Sequence, residues 1–191
     1  MRNIYDIYAL DAERMDKILK KLSPEEGAYL LEMIEKDPLT SVYNRRVFNK
    51  DLSVAMSEAD RKKENFSLVM VDVDGFKKYN DTRGLRFGDG LLEELSLSLR
   101  LEERKIYRYG GDEFAAIINN TSLEQAVIVA SRIKDKAEAD LKPNYGLTLS
   151  IGISNYKMTA DNSEDVISQA SRALQTAKKR GKNQIVAYNP E

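Results

Sequence analysis

Apolar side chains recur along this chain at two periods, and the switching between them lays out its elements. Near the start, Ala12, Met15, Ile18, Leu19 and Leu22 repeat at helical spacing. "SPEE" at residues 23–26 then restarts a helix, with Ser23 as N-cap, Pro24 at the first helical position and Glu26 closing a capping box. Leu30, Leu31, Met33 and Ile34 give this second helix an apolar side, and Pro38 ends it by forcing Asp37 out of the helical region. Residues 1–36 therefore read as a helical hairpin arm, and the main domain is expected over residues 37–191.

Beyond that boundary Val47, Phe48, Leu52, Ala55 and Met56 mark a helix. "FSLVMVDVD", residues 66–74, is apolar from Leu68 to Val71, as a strand covered on both faces should be, and belongs at the centre of a sheet. Downstream of "NDTRGLRFGDG", Leu91, Leu92, Leu95 and Leu99 form a helical stripe. "KIYRYGGDEFAAII" is two strand-like runs around Gly110-Gly111, a dipeptide that tolerates the positive φ of a two-residue hairpin turn. "SLEQAVIVASRIKDKA" predicts a helix capped by Ser122 and Gln125, and "LTLSIGIS" alternates as a strand does. Val166, Ile167, Ala170, Ala173, Leu174 and Ala177 define a last helix closed at Gly181, before a short strand "QIVAY". From residue 45 the order is α-β-α-β-β-α-β-α-β, whose middle is βαββαβ. The fold class is α+β: a ferredoxin-like palm with an antiparallel-containing central sheet and flanking helices, an arrangement that hosts many functions, nucleotide polymerisation among them.

Composition narrows the chemistry. The 191 residues are 42% hydrophobic with four prolines, which suits a globular core. Thirty basic against 31 acidic side chains leave a net charge of −1, so no global field favours nucleic acid or an anionic membrane. Cysteine is absent, which excludes disulfides and thiolate metal sites and fits a reducing cytoplasm. Histidine is absent too, which removes imidazole bases and His-ligated zinc. Chemistry must then rest on carboxylates, Lys, Arg, Tyr, hydroxyls or a hard, oxygen-bound metal. No apolar run approaches the roughly 20 residues of a membrane span, so a cytoplasmic location without a membrane span is expected.

One stretch stands out against this background. "RYGGDEF", residues 108–114, sets Asp112 and Glu113 side by side at a turn. If the end of the "VMVDVD" strand lies beside that turn, Asp72 joins them. Close carboxylate pairs repel by about 4 kcal/mol at a surface-like dielectric, which a divalent cation relieves. Mg²⁺ takes a couple of carboxylates, some water or backbone oxygen, and the phosphates of a nucleotide. A polar hairpin whose acids simply face water is the plainer reading of the same residues.

From about Asp37 to Tyr188 the sequence resembles the GGDEF family, the diguanylate cyclases that condense two GTP into cyclic di-GMP. The likeness is carried by "DPLTSVYNRR", "DVDGFKKYND", "GLRFGDGLL", "RYGGDEF", "LTLSIGI" and "ALQTAKKRGKN", in order and in register. It implies a palm of the nucleotidyl cyclase type, and Mg²⁺ or Mn²⁺ held by Asp72, the carbonyl of Val73 and Asp112. Glu113 is implied either as a second-metal ligand or as the acceptor of the 3′-hydroxyl proton. Asn80 and Asp89 would read guanine, whose N1–H and exocyclic amine offer adjacent donors to a carboxylate. Lys77, following Phe76, with Lys178 and Lys182, would hold the triphosphate. Arg45 and Arg46 are read as structural, tying their helix to the body of the domain.

The chain also departs from the family. Leu85 stands where the family usually has His, and Lys182 where it usually has Arg, which keeps the charge but not the forked geometry. Ser171 and Gln175 replace a customary Asp and Tyr. The product-inhibition motif, Arg-x-x-Asp ending five residues before the glycines, reads "LEER" at Leu101 to Arg104, so feedback at that surface is not expected. The resemblance implies a homodimer, because two GTP must meet face to face, with residues 1–36 as dimerising arm, remnant of a signalling helix or simple packing. The alternative is a degenerate module that binds GTP or cyclic di-GMP without turnover. A cyclase making an adenine dinucleotide is disfavoured by Asp89.

Overall fold

The computed structural model describes residues 14–100, 104–156, 160 and 162–189. The chain divides into two compact units, Met1–Lys36 and Asp37–Glu191. In the first, residues 14–19 are helical (α1) and a second helix runs Pro24–Glu35 (α2). Ser23 and Glu26 form the expected capping box, Ser23 Oγ accepting from the Glu26 N–H at 3.2 Å and Glu26 accepting from the Ser23 N–H at 2.8 Å. Ala12, the first residue of the predicted stripe, lies outside the described residues, as does most of "LEER".

The second unit runs β1 (Tyr43–Asn44), α3 (Arg45–Lys62), β2 (Phe66–Val73), α4 (Phe76–Arg83), α5 (Leu85–Ser98), β3 (Ile106–Gly110), β4 (Glu113–Asn119), α6 (Leu123–Tyr145), β5 (Leu149–Tyr156), α7 (Ser163–Lys179) and β6 (Ile185–Ala187). Its six-stranded sheet has the order β1-β3-β4-β2-β5-β6. The inner four strands, β3-β4-β2-β5, pair antiparallel and form the ferredoxin-like palm, while β1 and β6 add parallel edges.

All eight residues of β2 are buried, the consequence of helices on both faces. Val69, Val71 and Val73 face one core with Leu91, Leu95, Ala130 and Ile133 of α5 and α6. Leu68 and Met70 face the other, with Phe48 and Leu52 of α3 and Val166, Ala170 and Leu174 of α7. Asp72 falls on the second stripe, so an acid takes the place of an apolar side chain at the strand's end.

Two local expectations are corrected. The hairpin loop is Gly111-Asp112, not Gly110-Gly111: Gly110 ends β3 and pairs with Glu113, after a register shift between Arg108 and Gly110. Only Gly111 takes the left-handed conformation, at φ 47°. Second, where a single helix is expected between β2 and β3 the chain forms two, α4 being broken from α5 at Gly84 with φ 85°. Helix α4 buries no residue fully, which is why no apolar period announces it.

Candidate active site at the ends of β2 and the hairpin

The register of the sheet brings the acids together. Asp72, 4% exposed, stands directly across the ladder from Glu113, the first residue of β4. Asp112 occupies the adjoining loop, half-buried like Glu113. The repulsion foreseen between these groups is present: burial above all, reinforced by the negative fields of Asp112 and Glu113, pushes the Asp72 carboxyl up to about 6. Lys178, from the last turn of α7, works the other way, donating to Asp72 Oδ2 at 2.6 Å. The side chain foreseen as a phosphate contact thus serves here as the counter-charge of a buried acid.

Among the described residues no three acidic side chains gather closely enough to form a ready-made metal cluster. The donor set still suits Mg²⁺, which keeps waters and takes one or two carboxylates plus substrate phosphates. A buried carboxylate with two acidic neighbours and one resident cation has the electrostatic deficit that such an ion makes good.

The turn is braced from a distance. Arg108 on β3 donates from Nε to the Gly111 carbonyl at 2.9 Å and from Nη1 to Asp37 Oδ1 at 2.9 Å. The same Asp37 oxygen accepts from the Thr40 N–H at 2.9 Å and the Thr40 hydroxyl at 2.8 Å. Burial pushes the Asp37 carboxyl up, but the hydrogen bonds from Thr40 and Arg108 together hold it below its ordinary range. The "DPLT" segment and the glycine turn, some 70 residues apart, are in this way one structure. Arg45 stacks over the Tyr109 ring at 4.3 Å and reaches its hydroxyl at 3.2 Å, which ties α3 to β3.

A second group of foreseen residues lies on α4 and α5. Phe76 opens α4 and packs half-buried against the core, and Lys77 beside it is exposed. No side chain caps this helix, so its first backbone N–H groups stay available next to Lys77. Asn80 turns its amide oxygen against Gly88 of α5, where the oxygen is buried without a hydrogen-bond partner. A methyl on Gly88 would lie 1.8 Å from that oxygen, so glycine is what allows the approach. Asp89, the next residue, is exposed. The aromatic rings of Phe87 and Tyr145 meet at 5.3 Å, and Tyr145 donates to Glu94 at 2.6 Å, which fastens this part of α5 to the end of α6. Lys182 is exposed and left-handed, at φ 65°. Leu85, at the start of α5, is 73% exposed.

Residue patterns alone missed two organising side chains. Arg108 carries a signal in being adjacent to the glycines, but its partner Asp37 is not foreseeable from spacing. Asp74 accepts from the hydroxyls of Thr148 and Ser150 and from the backbone N–H of Asn183, and the alternation of a strand gives no hint of that.

Residues 34–184 match the family described as "Diguanylate cyclase, GGDEF domain". The chain is 34% identical over 169 residues to "Diguanylate cyclase A" of Treponema denticola, covering 83% of this chain and 46% of that protein. It is 31% identical over 163 residues to an uncharacterized membrane protein of Staphylococcus aureus strain USA300, covering 81% of this chain and 46% of the relative. The chain thus spans about half the length of the curated relatives it matches. Among solved structures it is similar to the GGDEF domain of DgcB from Caulobacter crescentus in complex with c-di-GMP, with a TM-score of 0.74 and 27% identity, covering 82% of this chain and 94% of that one. Among the described residues, no helix is long and apolar enough to cross a membrane.

Proposed function

The chain belongs to the GGDEF domain family, and on that premise we propose that it is a diguanylate cyclase, joining two GTP into cyclic di-GMP with release of two pyrophosphates. The observation that carries this reading is the buried Asp72 set across from Glu113 and beside the Gly111-Asp112 loop, with Lys178 alone to balance it among the described residues. In each of two steps a ribose 3′-oxygen bonds to the α-phosphorus of the other nucleotide. The bond from that phosphorus to the bridging oxygen breaks, and pyrophosphate leaves.

Asp72, the Val73 carbonyl and Asp112 would hold Mg²⁺ or Mn²⁺. The bound ion would lower the pKa of the 3′-hydroxyl and neutralise charge developing on the phosphate. Glu113, the cross-strand partner of Asp72, would serve as a further ligand or accept the hydroxyl proton. Asn80 and Asp89 bind the guanine edge, where adenine would leave their polar groups unpaired. Lys77, the open start of α4, Lys178 and Lys182 take the triphosphate. Lys178, which donates to Asp72 here, would be free to take a phosphate oxygen if a cation took over the neutralisation of that acid.

One subunit carries one such site, so the reaction takes two copies facing each other. The sequence "LEER" at the product-inhibition position supports turnover without feedback at that surface. The exposed Leu85 and the loose spacing of the acids favour, as a second reading, a module that binds GTP without turning it over. Purified protein with GTP and Mg²⁺, its products identified by mass beside Asp112→Ala, separates the two. Cyclic di-GMP formed by the parent chain and abolished in the variant supports the cyclase. GTP bound but intact at every protein concentration supports the module.

A further inference from the structure

Asp74 sits two residues beyond Asp72, just past the end of β2. Its carboxylate is surrounded by donors: Ser150 Oγ at 2.6 Å on Oδ1, and Thr148 Oγ1 and the Asn183 backbone N–H, both at 2.8 Å, on Oδ2. Its own N–H goes to the Thr148 carbonyl at 3.0 Å. The two hydroxyls tie the strand end to β5. The third bond does something else, because Asn183 closes an unusual stretch of backbone.

Gly181, Lys182 and Asn183 are left-handed in succession, with φ of 114°, 65° and 50°. For a residue with a Cβ this region costs roughly 1–2 kcal/mol, so the run persists only where something outside it holds it. The Gln184 side-chain amide donates to the Ala177 and Lys182 carbonyls at 3.1 and 3.2 Å and steadies the loop's own turn. The Ile151 N–H of β5 donates to the Gln184 carbonyl at 2.9 Å, and Asp74 fastens the left-handed residues themselves to the sheet near the acids. Four residues before Lys182, Lys178 is bound to Asp72. The segment from 178 to 183 is therefore pinned twice to the end of one strand, once at each end, with Lys182 next to the second pin.

We propose that Asp74 is a positioning residue, whose carboxylate holds the Gly181–Asn183 loop and thereby sets Lys182 against the triphosphate. This rests on the nucleotide reading above and deepens it. A carboxylate suits the task because it accepts on both oxygens and all three partners are donors here. Without it the Asn183 N–H loses its anionic partner and the left-handed run relaxes toward ordinary conformations. Lys182 then binds phosphate from a distribution of positions rather than one.

The test compares Asp74→Ala and Asp74→Asn by steady-state kinetics with GTP and by amide hydrogen exchange at Asn183. Asp74→Ala should raise the KM for GTP about tenfold while kcat changes less than about threefold, the mark of lost ground-state binding. Asn at this position keeps one side-chain oxygen for the Asn183 N–H, and the Ser150 hydroxyl can turn to accept from its amide. Asp74→Asn should therefore stay within about threefold of the parent KM and keep the Asn183 amide protected, whereas Asp74→Ala exposes it. In a Lys182→Gln background, Asp74→Ala should add less than about twofold to KM, because its route to the substrate is already cut. A folded Asp74→Ala with unchanged KM, or one that costs as much with Gln at 182, overturns the proposal. A parent chain that neither binds nor converts GTP overturns the nucleotide reading instead, and is told apart because Asn183 exchange still reports the carboxylate's hold on the loop.

Discussion

At the scale of single residues, the contact between Asn80 and Gly88 separates folding from recognition. A methyl at 88 would meet the end of the Asn80 side chain, at 1.8 Å from Oδ1, and Phe76 Cζ at 3.2 Å. The amide can swing away cheaply, and alanine is the better helix former by about 1 kcal/mol. Gly88→Ala should accordingly leave the unfolding midpoint nearly unchanged in thermal melts. Its preference for GTP over ATP should fall about tenfold, measured as the ratio of kcat/KM values. Asp37 makes the opposite case, a residue far from substrate whose charge holds the architecture of the turn. Its carboxyl is depressed in the folded state, so the stability it contributes is present above the ordinary carboxylate range. That stability is lost as pH falls through the depressed value. Asp37→Asn keeps an oxygen for Thr40 and Arg108 but no charge. It should cost about 1 kcal/mol at neutral pH and flatten the decline of the urea midpoint below about pH 4.

At the scale of elements, the decisive packing is that of α7 on β5. A methyl on Gly152 would come within 2.2 Å of the Ala170 carbonyl oxygen and 2.3 Å of the Leu174 nitrogen, both backbone atoms that cannot rotate away. The helix must move, and Lys178 moves with it. Gly152→Ala should therefore destabilise the domain by about 2–3 kcal/mol in chemical denaturation and depress turnover well below the melting transition. Packing of this kind also decides what the sequence discloses. The β2 run is legible because both its faces are covered, so burial writes itself as unbroken hydrophobicity up to Val71. The capping boxes at Ser23 and Ser122 are legible because they are local. Helix α4 is not, since nothing in it is fully buried, and the turn is read one residue early because two glycines look equally suited to it. What fixes the loop at Gly111-Asp112 is the pairing of β4 with β2 and the reach of Arg108 to Gly111 and Asp37. The acids of the site are visible as residue types, and their arrangement depends on cross-strand register. The Lys178–Asp72 pair joins positions 106 residues apart and leaves no local trace.

At the scale of the whole molecule, the site described here is half of what the proposed reaction needs. In that reaction each subunit would position one GTP, and ring closure would take two phosphodiester bonds, each made by a 3′-oxygen from one side and an α-phosphate from the other. Two consequences follow from that division. At low concentration the rate per subunit should rise in proportion to protein concentration, because encounter of two loaded chains precedes chemistry. A pair in which one member carries Asp112→Ala has one competent half-site, so it can form the first bond but not the second. Titrating excess Asp112→Ala into the parent chain at fixed total protein should therefore accumulate an open dinucleotide that still bears a 5′-triphosphate, detectable by mass, as cyclic product falls. If cyclic product instead declines in proportion to the parent chain alone, with no open intermediate, the two half-sites do not act separately. A rate per subunit that is constant down to the lowest dilution would show one chain to be sufficient, and the proposed division of labour would be wrong.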